Sequence, residues 1–253
     1  MKTKYLIVFF IFFIIFFKYT YIGKKINNIL DFFLFVFYTQ FKSFEIKLKN
    51  KNFKNFTNSL IKKNNTKIIK NKKSSEISKS KTIFLVNHRS WADFWIDYTI
   101  FEGVYISRKE VQYVLPFSSK LALKNNTIIF FDRNVKSKKG KKKLYDDIKN
   151  NLNSNKNIIL YPEGTRNTSN KSKPLKFGII KLGYQENVPF QICIVSNKEK
   201  VLNEKKLSIG KNINCEYFTS EIIHPKDYKT LEEFVDVIQK KWDESWNVIY
   251  NNV

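Results

Sequence analysis

The rhythm of apolar and polar positions changes several times along this chain. Residues 5–17, YLIVFFIFFIIFF, form an unbroken apolar and aromatic run between MKTK and a connector holding Lys18, Lys24 and Lys25. A second apolar stretch, ILDFFLFVFY at 29–38, is interrupted only by Asp31. SFEIKL at 43–48 alternates polar and apolar, which predicts a half-buried strand. Residues 49–81 are rich in Lys, Asn and Ser, with a short apolar pair in NTKIIKN, and read as an elaborated, partly mobile surface region.

From position 82 the pattern becomes regular. Apolar runs recur as TIFLV (82–86), TIIFF (127–131), NIILY (157–161) and PFQICIV (189–195), with helical candidates at 95–101, 111–123, 136–152 and 177–185. Continuous strands separated by helices predict a mostly parallel sheet covered on both faces. NINCEYFTSEII (212–223) reads as a further strand. Near the end, Thr230 and Glu233 have the spacing of a capping box, and Leu231, Phe234, Val235, Ile238, Trp242 and Trp246 follow at helical spacing. That stripe is most simply core packing.

The N-terminal run resembles a signal peptide in its basic start and apolar middle, but no small-residue cleavage site follows. As a helix, residues 5–17 reach roughly 20 Å, short of a bilayer core of about 30 Å. A spanning hairpin would put the basic connector on the far side, against the positive-inside tendency. One spanning anchor and two helices lying in one leaflet both remain open, and we favour the membrane-embedded pair. The expected class is therefore α/β, a mostly parallel sheet flanked by helices, with an N-terminal hydrophobic membrane-embedded helical segment. Residues 1–42 would form the anchor and residues 43–253 the α/β domain.

The formal charge of +24 suggests a nucleic-acid or anionic-membrane partner. A compositional cause competes: Lys, Asn, Ile and Phe abound while Ala, Gly and Pro are scarce, as an AT-rich genome would produce. The cysteines, Cys193 and Cys215, lack metal-ligand spacing, and Cys193 reads as a small core residue.

Chemistry concentrates where strands end, as it does in open α/β sheets. TIFLV is followed by Asn87, His88 and Asp93, TIIFF by Asp132 and Arg133, and NIILY by PEGTR at 162–166. His88 and Asp93 cannot share a helix face, since about 500° of rotation separates them. They meet only if His88 lies in the loop and Asp93 in the first helical turn. The carboxylate then accepts Nδ1–H, fixes the tautomer and leaves Nε2 as a base for a substrate hydroxyl. Gly164 permits close backbone approach. Arg166 offers a fork for phosphate, Arg133 can face the same anion, and Glu163 can hold a hydroxyl or that arginine. Each of these also reads as an ordinary surface salt bridge; their joint placement strains that account.

NHRSWAD, IIFFDR, YPEGTR and VPFQICI, in this order, resemble the motif blocks of the glycerolipid acyltransferase family, which includes 1-acylglycerol-3-phosphate acyltransferases. The resemblance covers roughly residues 82 to 195. It implies that His88 is the base on the acceptor hydroxyl and that Asp93 orients it. It implies that Arg133, Glu163, Gly164, Thr165 and Arg166 bind the acceptor phosphate; Lys173 and Lys176 are further candidates. The donor would be a thioester, acyl-CoA or acyl-carrier protein, with no metal and no other cofactor. Thr127 stands where the family's second block usually opens with glycine, and Ile192 where its fourth block usually has a second proline. Both departures bear on the acceptor pocket.

The resulting expectation is a membrane-associated O-acyltransferase that converts 1-acylglycerol-3-phosphate into phosphatidic acid. Its catalytic domain would face the cytosol on the endoplasmic reticulum or an equivalent membrane. The alternatives are another acceptor, such as a lysocardiolipin type, and a non-catalytic lipid-binding protein. A nucleic-acid binder would explain the charge but not the apolar N-terminus or the motif blocks.

Overall fold

A computed structural model of the chain describes residues 21–132 and 138–251. The apolar run at 5–17 and Arg133 lie outside the described residues.

The first element, α1 (Tyr21–Leu48), is one continuous helix. The strand expected at 43–48 is its last turn and a half. Phe32, Phe35, Thr39, Ser43 and Ile46 are buried at spacings of three and four, whereas Phe44 and Leu48, which should share the face of Ile46 in a strand, are exposed. A helical period begun upstream thus carries through a segment too short to set its own, until Asn50 takes a left-handed φ of 51°. The helix also crosses position 42, so no break separates an anchor from the domain there.

The 49–81 region is more ordered than expected. It holds α2 (Phe53–Asn64), opened by a capping box in which the Asn52 and Asn55 side chains each accept the other's backbone N–H. This helix buries Phe53, Phe56 and Leu60. The apolar pair of NTKIIKN becomes β1 (Lys67–Lys70).

The regular region follows as β2 (Ile83–Val86), α3 (Asp93–Phe101), β3 (Val104–Arg108), α4 (Val111–Val114), α5 (Pro116–Lys124), β4 (Ile128–Phe131), α6 (Lys138–Asn153), β5 (Ile158–Leu160), α7 (Gly178–Gln185) and β6 (Phe190–Val195). Then come α8 (Lys198–Val201), the hairpin β7 (Leu202–Asn203) and β8 (Ser208–Ile209), β9 (Asn214–Thr219) and α9 (Leu231–Tyr250). Strand β3 was not anticipated. The helix expected at 111–123 is two, because Leu115 precedes Pro116 and is pushed out of the helical region, to ψ 64°. At α9, Thr230 Oγ1 accepts the Glu233 N–H, but the Glu233 carboxylate takes the Lys229 N–H, so the capping box is only half formed.

The large sheet runs β1-β9-β6-β2-β5-β3-β4. Strands β6, β2, β5, β3 and β4 are mutually parallel; β9 pairs antiparallel to β6, and β1 parallel to β9. The expected mostly parallel α/β fold is therefore present. Alternate strand residues feed two cores. Phe84, Val86, Cys193 and Val195 pack with α1, α2 and α3 on one face. Ile83, Leu85, Ile192 and Ile194 pack with Phe234, Ile238, Trp242 and Trp246 of α9 on the other. Both cysteines are buried and free.

Functionally, the consequence is adjacency. β2 sits between β5 and β6, so the loops leaving their carboxyl ends share one rim. β4 lies at the sheet's far edge, two strands from β5 by way of β3.

Packing of α2 is directly testable. Leu60 is fully buried. Leu60→Ala should destabilise the fold by about 3 kcal/mol in chemical denaturation. A change under about 0.5 kcal/mol, typical of an exposed site, would mean that 49–81 is the loose surface its composition suggests.

Candidate active site

The loop leaving β2 carries Asn87, His88, Arg89 and Ser90, and Asp93 opens α3. His88 Nδ1 and Asp93 Oδ2 are 2.5 Å apart. The same oxygen accepts the Arg89 N–H at 2.8 Å, and Oδ1 accepts the Ser90 N–H at 3.1 Å. The histidine is thus in the loop and the carboxylate in the first helical turn, the one arrangement that lets this spacing meet. Nε2 has no hydrogen-bond partner among the described residues. The imidazole stacks on Tyr161, ring centres 4.5 Å apart, which limits its tilt.

Three neighbours of His88 tie the loop into the fold. The Asn87 amide both donates to Val195 O and accepts from Val195 N, each at 2.9 Å, locking β2 to β6 beyond their last paired residues. Arg89 is buried, grips Glu199 with Nε and Nη2, and donates to the carbonyls of Ser169 and Thr168. Its guanidinium lies over the Tyr250 ring at 4.7 Å. From the other side, the Asn167 N–H donates to the His88 carbonyl at 2.7 Å. This arginine of the first block therefore clamps the segment that follows the third.

The PEGTR loop follows β5. Gly164 has a φ of 67°, and the Lys176 side chain lies across the place a Cβ would fill. Gly164, Thr165 and Lys176 are exposed, and Arg166 is half-buried. Arg166 pairs with Glu204 of the β7–β8 turn, whose other oxygen accepts the Trp91 N–H at 3.3 Å. A carboxylate therefore already occupies one side of this guanidinium. Glu163 points inward, accepting from Asn167 at 2.6 Å. Burial lifts its carboxyl to about 7, against the Asn167 hydrogen bond and the charges of Lys173 and Arg89. Through Asn167 it supports the loop from within. Of the expected site residues, His88 and Asp93 make direct contact, and Glu163, Gly164, Thr165, Arg166 and Lys176 form the neighbouring loop.

Several residues of the site had not been singled out: Arg89, Asp97, Tyr161, Asn167, Lys198, Glu199 and Glu204. One signal for them existed. Asp97 follows Asp93 by one helical turn, and two carboxyls on one buried helix face favour a cation beside them or a proton on one of them. That cation is Lys198, whose Nζ lies 2.9 Å from Asp97 Oδ2 and 3.6 Å from Asp93 Oδ1.

Glu163 generates a pH prediction. Its folded-state pKa is above that of an unfolded chain, so between about 4.5 and about 7 the folded protein holds a proton that the unfolded chain has released. Stability from this group is full below that window and is lost as pH rises through it. Glu163→Gln should therefore raise Tm relative to wild type more at pH 8 than at pH 5. An equal difference at both pH values would show that the carboxyl titrates normally.

The sequence model of the family described as Acyltransferase matches residues 61–196. Among characterised proteins, the chain is 25% identical over 167 residues to a 1-acyl-sn-glycerol-3-phosphate acyltransferase of Cocos nucifera, covering 65% of this chain and 53% of the relative. It is 28% identical over 158 residues to a 1-acyl-sn-glycerol-3-phosphate acyltransferase of Helicobacter pylori, covering 60% of this chain and 65% of that one. The chain thus spans between about half and just under two thirds of the length of these relatives. Its fold is shared with the crystal structure of the 1-acyl-sn-glycerophosphate (LPA) acyltransferase PlsC from Thermotoga maritima, at a TM-score of 0.66 and 17% identity, over 89% of this chain and 97% of that one. With the family match spanning more than half of its 253 residues and enclosing the His88 loop, α3 and the PEGTR turn, the chain belongs to the acyltransferase family.

Proposed function

We propose that this protein transfers a fatty acyl group from a thioester, acyl-CoA or acyl-carrier protein, to the free hydroxyl of 1-acylglycerol-3-phosphate, giving phosphatidic acid. The observation that carries this reading is the His88–Asp93 pair, with Nδ1 bound to the carboxylate and Nε2 unengaged, beside the PEGTR loop. The names of the relatives support the acceptor.

In this mechanism His88 Nε2 takes the proton of the acceptor hydroxyl as its oxygen forms a bond to the thioester carbonyl carbon. Asp93 stabilises the imidazolium. The tetrahedral intermediate collapses, the carbon–sulfur bond breaks, and the imidazolium returns the proton to the thiolate. One ester forms for each thioester consumed. Arg166 and Lys176 draw the acceptor phosphate to the loop, the phosphate exchanging for the Glu204 carboxylate at Arg166.

We also assign the protein to a membrane surface. Among the described residues no helix is long and apolar enough to cross a membrane. However, α1 turns Leu30, Phe33, Leu34, Phe37, Phe41 and Phe44 outward, and Phe44 meets exposed Phe117 edge-on at 5.7 Å. An apolar stripe of this length on a strongly basic chain suits a helix lying in the headgroup region of an anionic leaflet.

With oleoyl-CoA and a panel of lysophospholipids, transfer to lysophosphatidate should dominate, and His88→Ala should lower kcat roughly a hundred- to ten-thousand-fold. Arg166→Lys should raise KM for the phosphate acceptor about tenfold. Preference for an acceptor without a terminal phosphate would redirect the assignment. In the full chain, joint Phe33→Glu, Phe37→Glu and Phe41→Glu replacement should weaken flotation with phosphatidylglycerol vesicles. Unchanged flotation would move the attachment elsewhere.

A further inference from the structure

Lys198 is the first residue of α8 and lies just beyond the family match at residue 196. Its side chain is fully buried, an uncommon state for an ammonium group. The backbone of Lys198 is fixed by Ser90, whose hydroxyl donates to its carbonyl at 3.1 Å. Nζ donates to the Asn87 carbonyl at 2.6 Å and to the Asp97 oxygens at 3.0 and 2.9 Å, and it faces Asp93 Oδ1 at 3.6 Å. Asp97 in turn accepts the Tyr161 hydroxyl at 2.9 Å, and Tyr161 is the ring on which His88 stacks. The ammonium therefore touches the residue before His88, the carboxylate that holds His88, and the partner of the ring beneath it.

We propose that Lys198 is a positioning residue of the acyl-transfer site, its buried ammonium keeping Asp93 ionised and thereby setting the proton affinity and orientation of His88. The inference rests on the reading of His88 as the base. The electrostatics agree in direction. Burial would raise the Asp93 carboxyl, but Lys198, the hydrogen bond from His88 and the Arg89 N–H together hold it below the ordinary value. Burial lifts Asp97 to about 7 despite the same lysine, with Asp93 adding to the rise. Of the two carboxylates, Asp93 therefore keeps its charge more firmly.

Beyond His88 and the Arg89 and Ser90 N–H groups, the titratable side chains near Asp93 add little to this effect. Tyr105, Tyr161, Tyr250, Cys193 and Cys215 are all raised by burial and stay neutral through the working pH range. The Arg89 guanidinium also feels the Asp93 charge, but its hydrogen bonds go to Glu199 and to the Ser169 and Thr168 carbonyls.

Asp97→Asn and the double variant Asp97→Asn with Lys198→Met differ only in the lysine, and neither leaves Asp97 as a buried, unpaired charge. Acyl transfer to lysophosphatidate is measured against pH for both. The His88 ring is titrated by 15N NMR in a His224→Gln background, which leaves it the sole histidine. Loss of a nearby positive charge raises the pKa of the pair. The double variant should therefore show the acidic limb of kcat/KM and the His88 titration displaced upward by about one unit relative to Asp97→Asn. On that acidic limb its kcat at a given pH should be lower by about tenfold, with KM for the acceptor within about twofold. Coincident titrations and equal kcat would overturn the proposal and leave the lysine as a counter-ion of Asp97 alone. If the double variant does not fold, Asp97→Asn with Lys198→Gln takes its place, and coincidence of that variant with Asp97→Asn in both readouts refutes the coupling. A wild type without acyl transfer would defeat the functional reading, and the NMR comparison would still judge Lys198.

Discussion

A carboxylate closed off from water has to be answered by donors, and the end of this fold that carries the His88 loop is organised around that requirement at Asp93. A lone buried charge is expensive, and removal of one partner from a buried pair typically destabilises by about 3–5 kcal/mol. The Asp93 oxygens are met by the Arg89 and Ser90 N–H groups, by His88 Nδ1 and by the Lys198 ammonium. These partners come from the loop after β2 and from α8, while the carboxylate itself opens α3. The helix adds the favourable field of its own N-terminus. Satisfying the charge thus fixes where the loop and both helices meet, and His88 is held as one member of that set.

The same logic binds the motif blocks to one another. β5, β2 and β6 are neighbours, so the loops that leave them must be compatible at close range. Asn87 makes a two-way bond with Val195, Arg89 reaches the Thr168 and Ser169 carbonyls, and Asn167 donates back to His88. Each bond runs from the first block to residues just beyond the third or the fourth and uses polar groups that burial would otherwise leave unpaired.

Legibility in the sequence followed the strength of the local signal. The central strands β2, β5 and β6 were legible because burial on both faces demands unbroken apolar runs. SFEIKL failed because a three-residue alternation fits a helix as well as a strand, and the period inherited from 29–38 prevails. β3 was passed over because VYISR is short and ends in polar residues, although it pairs on both sides. Composition hid α2: its Asn and Lys residues suggested surface, while Phe53, Phe56 and Leu60 already had helical spacing. In the site, His88 and Asp93 could be paired from spacing plus a turn. Lys198 could not, since its partners lie about a hundred positions away and lysine is abundant throughout the chain.

That abundance makes burial the useful filter on charge. Compositional drift can place lysine wherever water solvates it, and most of the 46 Lys and Arg residues need no further explanation. It cannot place one in the interior, where an ammonium without matched acceptors would be rejected by the fold. Lys198 and Arg89 are the cations found in the buried class among the described residues, and both contact the His88 loop. The basic surface and the buried cations are therefore separate features. The surface acts at long range, is weakened by salt and tolerates the loss of any single lysine. The buried pair acts through fixed geometry at distances of about 3 Å, where salt screens little and loss of a cation leaves its partners unpaired. The charge that holds the His88 loop in place is the small fraction that solvent does not reach.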